Sequence, residues 1–566
     1  MMTESSVTPR SRQEGSILDM EPATHDPTTA PAISDADASG WAARAVLAGA
    51  LAAGPALFVL VAARLVTGDV GLLDAVADGV VRYTPPSLVE GGISALGPLG
   101  KGILSLGVAV GVVAAGALAG LAVDRWLLRW AGSAAPLVVG LGAIAGLELA
   151  LLPLAGAGFL GAELATDPLA LHAPLVAACL LYAGVVVRLL RPPVPPLPPM
   201  SDEVMAVPEA TAREAGMPRR TFLGGSVGVA AVAALAAGFG GVVLQVVEAV
   251  RGHAGPVPSA GPDATGFGPP PAVTPVDDFY VVSKNLTSPR VDGSTWRLVV
   301  DGLVDRPTAY SLAELQAMPS KVAFRTLECI SFEIVRGDRL IGNQSWRGVP
   351  VSTLLDRAGV QPGAAWILWE AADGYTESLA LDVARQPDTW IAWQMGGAPL
   401  TPDHGYPARV LIPGRFGMKQ PKWVTRMRLS ERDERGYWEV RGWDDQAVVR
   451  TMSRIDSPRP GDRFPVGSSV RASGVAYSGD RGIAAVELSP DDGRSWLRAE
   501  LEDASRPPLG PLTWVRWRVD VPLVSAGPTR FVVRATDGAG GLQDGQERPP
   551  LPAGATGWHA IRVVAE

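Results

Sequence analysis

The sequence predicts an α-helical transmembrane bundle of about five spans, followed by an α+β domain and a C-terminal immunoglobulin-like β-sandwich. Three observations carry that prediction. Uncharged apolar stretches of span length crowd the chain before residue 250, a Gly/Pro/Ala-rich tether follows, and the remainder alternates apolar and polar residues between turn signals. Of the 566 residues 47% are hydrophobic and 19% charged, so the apolar residues must be concentrated in one region rather than spread over ordinary cores.

Residues 1–40 are rich in Ser, Thr, Pro, Asp and Ala without hydrophobic periodicity, which predicts a disordered cytoplasmic tail. The uncharged run between Arg44 and Arg64, at ~1.5 Å per residue, matches a hydrocarbon thickness of roughly 30 Å. Similar runs at Ile103–Val123, Ala134–Leu154 and Leu169–Val187 complete a four-helix transmembrane region over 41–190. A linker at 191–220 leads to a fifth span within 221–250, centred on Phe222–Val247, and to a tether at 251–275.

Arginine placement orients these spans. Arg125 and Arg129 follow the second, and Arg188, Arg191, Arg213, Arg219 and Arg220 follow the fourth, whereas Glu163 and Asp167 lie between the third and fourth. The positive loops are expected on the cytoplasmic side, which places everything after Val247 outside. Leu72, Leu73, Val76, Val80 and Val81 in the first external loop have helical spacing and predict a helix along the membrane surface. The preface Pro218-Arg-Arg-Thr-Phe-Leu-Gly224 resembles a twin-arginine export signal set inside the chain; as an ordinary positive flank it needs no export route. Gly224-Gly-Ser-Val-Gly228 matches a hydrolase elbow but lies in an apolar span with no strand before it.

From residue 276 the pattern changes. Trp296-Arg-Leu-Val-Val-Asp-Gly302 reads as a strand, Ser311-Leu-Ala-Glu314 as a capping box opening a short helix, Val349–Ala358 as a helix and Trp366–Glu370 as a strand. These predict a mixed domain over 276–440. Turn signals at Ser478–Gly482, Asp491–Gly493 and Asp537–Gly538 space the sandwich strands over 455–566.

A net charge of -8, with no Lys/Arg cluster, excludes nucleic acid as a partner. The chain has two cysteines, Cys179 and Cys329. Cys329 has no second cysteine in the soluble part with which to form a disulfide, and an unoccupied thiol outside the cytoplasm is a liability, so its sulfur is expected to hold a metal. The alternative is a buried structural cysteine. His25, His172, His253, His404 and His559 are never three or four residues apart, which argues against a His-rich zinc or copper site. What remains is a cofactor that brings most of its own ligands.

The soluble part carries Thr326-Leu-Glu-Cys-Ile330, Ile341-Gly-Asn-Gln-Ser-Trp346, Asp373-Gly-Tyr375, Pro402-Asp-His-Gly-Tyr-Pro-Ala-Arg409, Pro413-Gly-Arg-Phe-Gly-Met-Lys-Gln-Pro-Lys-Trp423 and Ala476-Tyr-Ser-Gly479. On these motifs residues 277–566 resemble the sulfite-oxidase-like molybdopterin oxidoreductases, in which one cysteine binds molybdenum beside a pterin dithiolene. The resemblance implies a molybdenum–molybdopterin cofactor with Cys329 as its metal ligand. It implies cofactor contacts from Asn285, His404, Arg409, Gln420 and Lys422, with Lys419 and Arg415 as weaker candidates. It also implies catalytic roles for Tyr375, as a hydrogen-bond donor beside the metal, and for Arg481, as an anion-binding residue from the sandwich. Trp393 and Trp423 read as packing. Phe279–Leu286 contains no arginine where sulfite oxidases carry one, and Phe332 stands where many bacterial relatives have Asn, which puts sulfite itself in doubt.

The expected function is two-electron oxygen-atom transfer on a small sulfur- or nitrogen-containing substrate by a multi-pass membrane enzyme whose catalytic domain lies outside the cytoplasm. Expected partners are a separate electron carrier, either a cytochrome or a quinone-linked protein, the twin-arginine machinery, and a second copy through the C-terminal domain. Rival readings are a thiol enzyme pairing Cys329 with His404 and a non-catalytic membrane receptor. In the third span Glu148 is a candidate by its depth. Gly107-x-x-x-Gly111 and Gly116-x-x-x-Gly120 permit close helix packing.

Overall fold

The computed structural model describes residues 35–67, 71–85, 88, 99–123, 125–162, 168–191, 266–285, 288–337 and 339–566. The fifth span, its twin-arginine preface, Glu163, Asp167 and Leu286 lie outside the described residues.

Among the described residues four helices are long and apolar enough to cross a membrane. They are α1 (Asp35–Thr67), α3 (Leu99–Ala122), α4 (Ala135–Gly146) with its continuation to Leu154, and α5 (Pro168–Leu190); α2 (Leu72–Tyr83) lies between the first two in the chain. Helix α1 starts at Asp35, inside the stretch expected to be disordered. Of the two small-residue motifs, Gly116-x-x-x-Gly120 lies in a helix contact: a Cβ on Gly116 would stand 2.6 Å from the Ala53 Cβ, whereas nothing approaches Gly107 or Gly111. The Tyr182 hydroxyl donates to the Gly116 carbonyl at 2.7 Å, tying α5 to the same contact.

Helix α2 forms where its spacing predicts, but its apolar side is not left to a membrane surface. Leu73 and Ala77 pack with Leu57, Val61, Val108 and Ala109, and Leu72 and Ala75 with Leu152, Ala155 and Leu175. A buried ion pair between Arg64 and Asp74 at 2.7 Å fixes its start against the end of α1. The bundle offers α2 packed side chains and a counter-charge, which a headgroup layer does not.

The mixed α+β domain has strands β1 (Arg297–Gly302), β2 (Thr308–Ser311), β3 (Lys321–Glu328), β4 (Ile341–Pro350), β5 (Trp366–Ala371), β6 (Thr376–Ala380), β7 (Trp390–Met395), β8 (Ala398–Pro399), β9 (Arg409–Leu411) and β10 (Val424–Ser430). One sheet has the order β2-β1-β10-β5-β6, the other β3-β4-β7-β8 with β9 beside β7. The expected capping box is present: the Glu314 N–H donates to the Ser311 Oγ at 3.2 Å and the Ser311 N–H to the Glu314 Oε2 at 2.7 Å, opening α6 (Leu312–Gln316). Helix α7 (Val351–Ala358) buries Leu354 and Leu355 among Leu298, Val300, Ile367 and Trp369 of the first sheet and Ile391 and Val410 of the second. Trp369 is fully buried there, and truncations of that kind cost about 3–5 kcal/mol.

The sandwich comprises β11 (Met452–Ser457), β12 (Arg463–Phe464), β13 (Ser469–Tyr477), β14 (Ile483–Ser489), β15 (Leu497–Arg498), β16 (Glu500–Leu501), β17 (Val515–Pro522), β18 (Gly527–Asp537) and β19 (Ala560–Ala565). Its sheets run β11-β13-β17-β16 and β12-β19-β18-β14-β15. The end of the expected tether is held in place. Arg518 donates to the Gly266 carbonyl at 3.0 Å, Phe267 lies under Arg518, and the Asn343 amide donates to the Ala272 carbonyl at 2.8 Å.

Candidate active site

Cys329 is the first residue after β3, because the β3–β4 hairpin pairs Glu328 with Ile341 and the chain then leaves the ladder. The Cys329 N–H donates to the Leu340 carbonyl at 2.9 Å and the Phe332 N–H returns to the Cys329 carbonyl at 3.0 Å, which closes a tight turn around the sulfur. The sulfur lies 3.3 Å from the Ser331 hydroxyl, and the residue is 6% exposed. Ile330 and Phe332 from this turn pack with Phe416, Met418, Val475, Tyr477 and Trp514. The sandwich also grips β3 through polar bonds. The Tyr477 hydroxyl donates to the Thr326 carbonyl at 2.9 Å, and the Trp514 N–H to the Thr326 hydroxyl at 2.8 Å.

Beside this turn the segment from Thr401 to Trp423 gathers the cations. The Arg409 guanidinium donates to the His404 carbonyl at 3.3 Å and, at 3.5 Å, to that of Gln420. Its Nε is buried without a hydrogen-bond partner, and among the described residues it has no carboxylate in an ion pair. Burial pushes Arg409 down to about 10, with only Tyr280 opposing. His404 is pushed down to about 4, first by burial and then by Arg409. Gly405, at φ +105, lets Lys422 and Arg409 flank it: a Cβ there would stand 3.0 Å from the Lys422 Cβ and 3.2 Å from the Arg409 Cβ. Lys422 donates to the Asp403 carbonyl at 2.9 Å and lies over the Trp423 ring. Gln420 is a brace, donating to the Arg415 carbonyl at 2.8 Å and accepting from the Ile412 N–H at 3.2 Å.

Tyr375 joins the same site through the turn at 417–419. Its hydroxyl lies 2.6 Å from the Met418 carbonyl and 3.0 Å from Glu377 Oε2, with one proton to give to either. Its backbone N–H is held at 3.0 Å by Asp373, which also accepts from the Asn285 amide at 2.9 Å. Arg481 stands apart in the sandwich. It pairs with Asp537 at 2.9 Å and donates to the Ser478 hydroxyl at 2.6 Å and the Val449 carbonyl at 3.0 Å, so its charge is already countered. Its neighbours Gly479 and Asp480 abut Gly414, which docks this loop on the turn preceding Arg415. The imidazole of His404 faces the Val276 carbonyl at 3.2 Å and the Phe279 ring, and no bond joins it to Cys329. Trp393 and Trp423 are buried, the latter with its indole N–H on the Pro402 carbonyl at 2.7 Å.

Three site residues escaped the sequence reading. Glu377 and Glu439 both pair with the buried ammonium of Lys419, Glu377 at 2.7 Å, and Lys419 itself had ranked only as a weak candidate. Burial is the largest influence on Glu377 and Glu439 adds to it; against the lowering by Lys419 the carboxyl is held up at about 8. Burial opposes the charge on Lys419, but its two carboxylates outweigh it and raise its pKa. Glu377 therefore keeps its proton at neutral pH. Tyr280, the third, is raised well above the usual phenol range by burial and by the Cys329 sulfur, with Arg409 opposing. The signal for Glu377 was its place two residues after Tyr375 on the same strand face.

These residues fit a metal carried by an anionic organic group. No group of three His, Cys, Asp or Glu side chains that could hold a metal occurs among the described residues, so a metal at Cys329 must arrive with ligands of its own. A buried guanidinium with an unsatisfied N–H and no carboxylate calls for an incoming anion, and a phosphate supplies one.

Comparison with known proteins agrees with that chemistry. Residues 285–438 match the family described as oxidoreductase molybdopterin binding domain, and residues 444–563 the Mo-co oxidoreductase dimerisation domain. The chain is 27% identical over 315 residues to sulfite oxidase of Gallus gallus, covering 48% of this chain and 68% of that protein. It is 30% identical over 323 residues to nitrate reductase [NAD(P)H] of Hordeum vulgare, covering 47% of this chain and 36% of that protein. Among solved structures, the sulfane dehydrogenase SoxCD from Paracoccus pantotrophus aligns at 23% identity with a TM-score of 0.46, over 53% of this chain and 85% of that one. From residue 285 to 563 the chain thus carries the molybdopterin-binding and dimerisation domains of a molybdopterin oxidoreductase, with sulfite oxidases and nitrate reductases among its relatives.

Proposed function

We propose that this enzyme is a membrane-anchored oxidoreductase whose catalytic domain lies outside the cytoplasm and which acts on a small sulfur- or nitrogen-containing substrate other than sulfite. When bound, the cofactor supplies two-electron oxygen-atom transfer with water as the other source or sink of oxygen. The observation that carries the reading is the buried Arg409 guanidinium, lacking a carboxylate, in the same site as Cys329.

In this reading Cys329 binds the metal as thiolate, and Arg409, Lys422 and His404 face the phosphate-bearing part, with Gln420 and Asn285 bracing the loops that present them. At neutral pH Glu377 keeps its proton 3.0 Å from the Tyr375 oxygen, where it can be given up when removal of an oxygen atom from the substrate to form water consumes protons. The apolar wall of Ile330, Phe332 and Met418 keeps bulk water from the thiolate. Doubt about sulfite has a structural side as well. The cation available where an arginine is missing is Lys284, and it is held by Asn285 at 3.2 Å and by the Tyr437 ring. Arg481, paired with Asp537, acts by positioning the Gly414 turn. A homodimer through the sandwich follows from the dimerisation-domain match as part of the same proposal.

The test is elemental and pterin analysis of the purified full chain, followed by assays with sulfite and with a panel of sulfoxides and N-oxides. Stoichiometric molybdenum and pterin with turnover of an S- or N-oxide, but poor turnover of sulfite, is the expected result. Protein lacking both molybdenum and pterin overturns the reading.

A further inference from the structure

The helix that follows α4 contains a π-turn over Leu147–Leu151, and this turn delivers Glu148 into the bundle. π-Turns cost regular hydrogen bonding and recur where a side chain must be re-aimed. Glu148 Oε1 lies 2.7 Å from His172 Nδ1 of α5. Its second oxygen, Oε2, is buried without any partner, and the side chain is only 8% exposed. A carboxyl at that depth with an empty oxygen is expensive unless something completes it. His172 is the open side of the pair, with 33% of its side chain exposed, and its Nε2 points to no acceptor among the described residues. Leu149, next to Glu148 in the chain, and Leu169, three residues before His172, are exposed apolar side chains on the same two helices.

The pair also lies at a telling end of the bundle. Glu148 is six residues, ~9 Å of helix, below Leu154, and the turn beyond Leu154 packs on α2: a Cβ on Gly79 would stand 3.0 Å from the Ala155 Cα. The residue beside Gly79, Asp78, accepts a hydrogen bond from the Tyr437 hydroxyl of the catalytic domain. Tyr437 in turn lies 5.8 Å from the Tyr375 ring, and Trp438 and Trp443 extend the same aromatic row at 5.0 and 6.4 Å. An enzyme that exchanges two electrons with its substrate must exchange them with a carrier too, and Tyr437, between the Tyr375 ring and Asp78 of α2, connects the candidate active site to the end of the bundle near the pair.

We propose that Glu148 and His172 bind the head group of a lipid-soluble quinone and exchange protons with it. The inference rests on the function proposed above. The quinone takes two electrons, supplied one at a time by substrate oxidation, and two protons, and becomes the hydroquinone. At the oxygen facing the pair, an O–H bond forms as the His172 Nε2–H bond breaks; the Glu148 proton passes to Nδ1, and water at the nearby end of the bundle reprotonates Glu148. The far oxygen takes its proton from water. With substrate reduction the same bonds form and break in reverse.

The experiment uses the full chain in lipid nanodiscs, titrated with decyl-substituted benzoquinone and naphthoquinone. Saturable binding of one quinone per chain is expected, with Glu148→Gln and His172→Phe each raising Kd at least tenfold and the lipid-facing Leu141→Ala leaving it unchanged. Because a substituted bundle can fail to assemble, an azido-quinone photolabel on the unsubstituted protein provides a second readout, expected on peptides covering residues 147–176. Molybdenum-replete protein that binds neither quinone, binding indifferent to both substitutions, or label placed elsewhere overturns the inference. Protein without molybdenum would instead mark failure of the proposed function, so the two failures are distinguishable.

Discussion

The Tyr375 hydroxyl lies 3.0 Å from Glu377 Oε2, and that carboxyl shares the Lys419 ammonium with Glu439 inside the catalytic domain. Burial first, and then a glutamate that no motif singles out, keeps the hydroxyl of this tyrosine protonated.

Because burial holds Glu377 near about 8, against an ordinary 4.5, the folded chain keeps a proton that the unfolded chain releases. Stability from this group is complete below the unfolded value and falls as pH rises towards about 8, then levels off once the folded carboxyl ionises. Lys419, whose pKa is raised, stays charged through that window. Urea midpoints measured from about pH 5 to 8 should decline, and Glu377→Gln should flatten the slope. A wild-type midpoint constant over that range contradicts this assignment.

Cys329→Ser keeps the shape of the turn and the bond geometry around Leu340, so the chain should fold with a nearly unchanged melting temperature. Molybdenum retained after gel filtration should fall at least tenfold, equivalent to about 1.4 kcal/mol. Full retention would show that the sulfur is not the anchor.

Arg409→Met separates binding from folding. The cation is 6% exposed with no carboxylate partner, so the cofactor-free protein should gain on the order of 1 kcal/mol in stability, while cofactor retention drops at least tenfold. Thermal melting with and without cofactor reads both. Loss of stability in the cofactor-free protein would mark Arg409 as structural.

Arg219→Lys with Arg220→Lys tests the export reading. The soluble domain of the double variant should stay accessible only from the cytoplasmic face, as read by protease protection of intact cells. Normal accessibility from outside removes the twin-arginine route.

Periodicity and span length were enough to read the long apolar helices α1, α3, α4 and α5, the Ser311 capping box and the change to strands after residue 276, because each depends on neighbours in the chain. Dense motifs drew attention to Cys329, Arg409 and Tyr375, and the folded chain buries Cys329 and Arg409. The membrane-surface placement expected for α2 did not survive, since its apolar face meets Leu57, Val108 and Leu152 from distant parts of the chain. The charge of Arg481 could not be judged from sequence either, because its partner Asp537 lies on another strand of the sandwich.

By itself the sequence determined which side chains are available: one soluble-domain thiol, a run of cations between residues 404 and 422, and an acid within a span. Tertiary structure alone decided their states. Arg409 is buried without a carboxylate, Glu377 keeps a proton beside Tyr375, and a π-turn brings Glu148 to His172. Solvation and charge pairing depend on which atoms meet in space, and residues far apart in the chain supply those atoms.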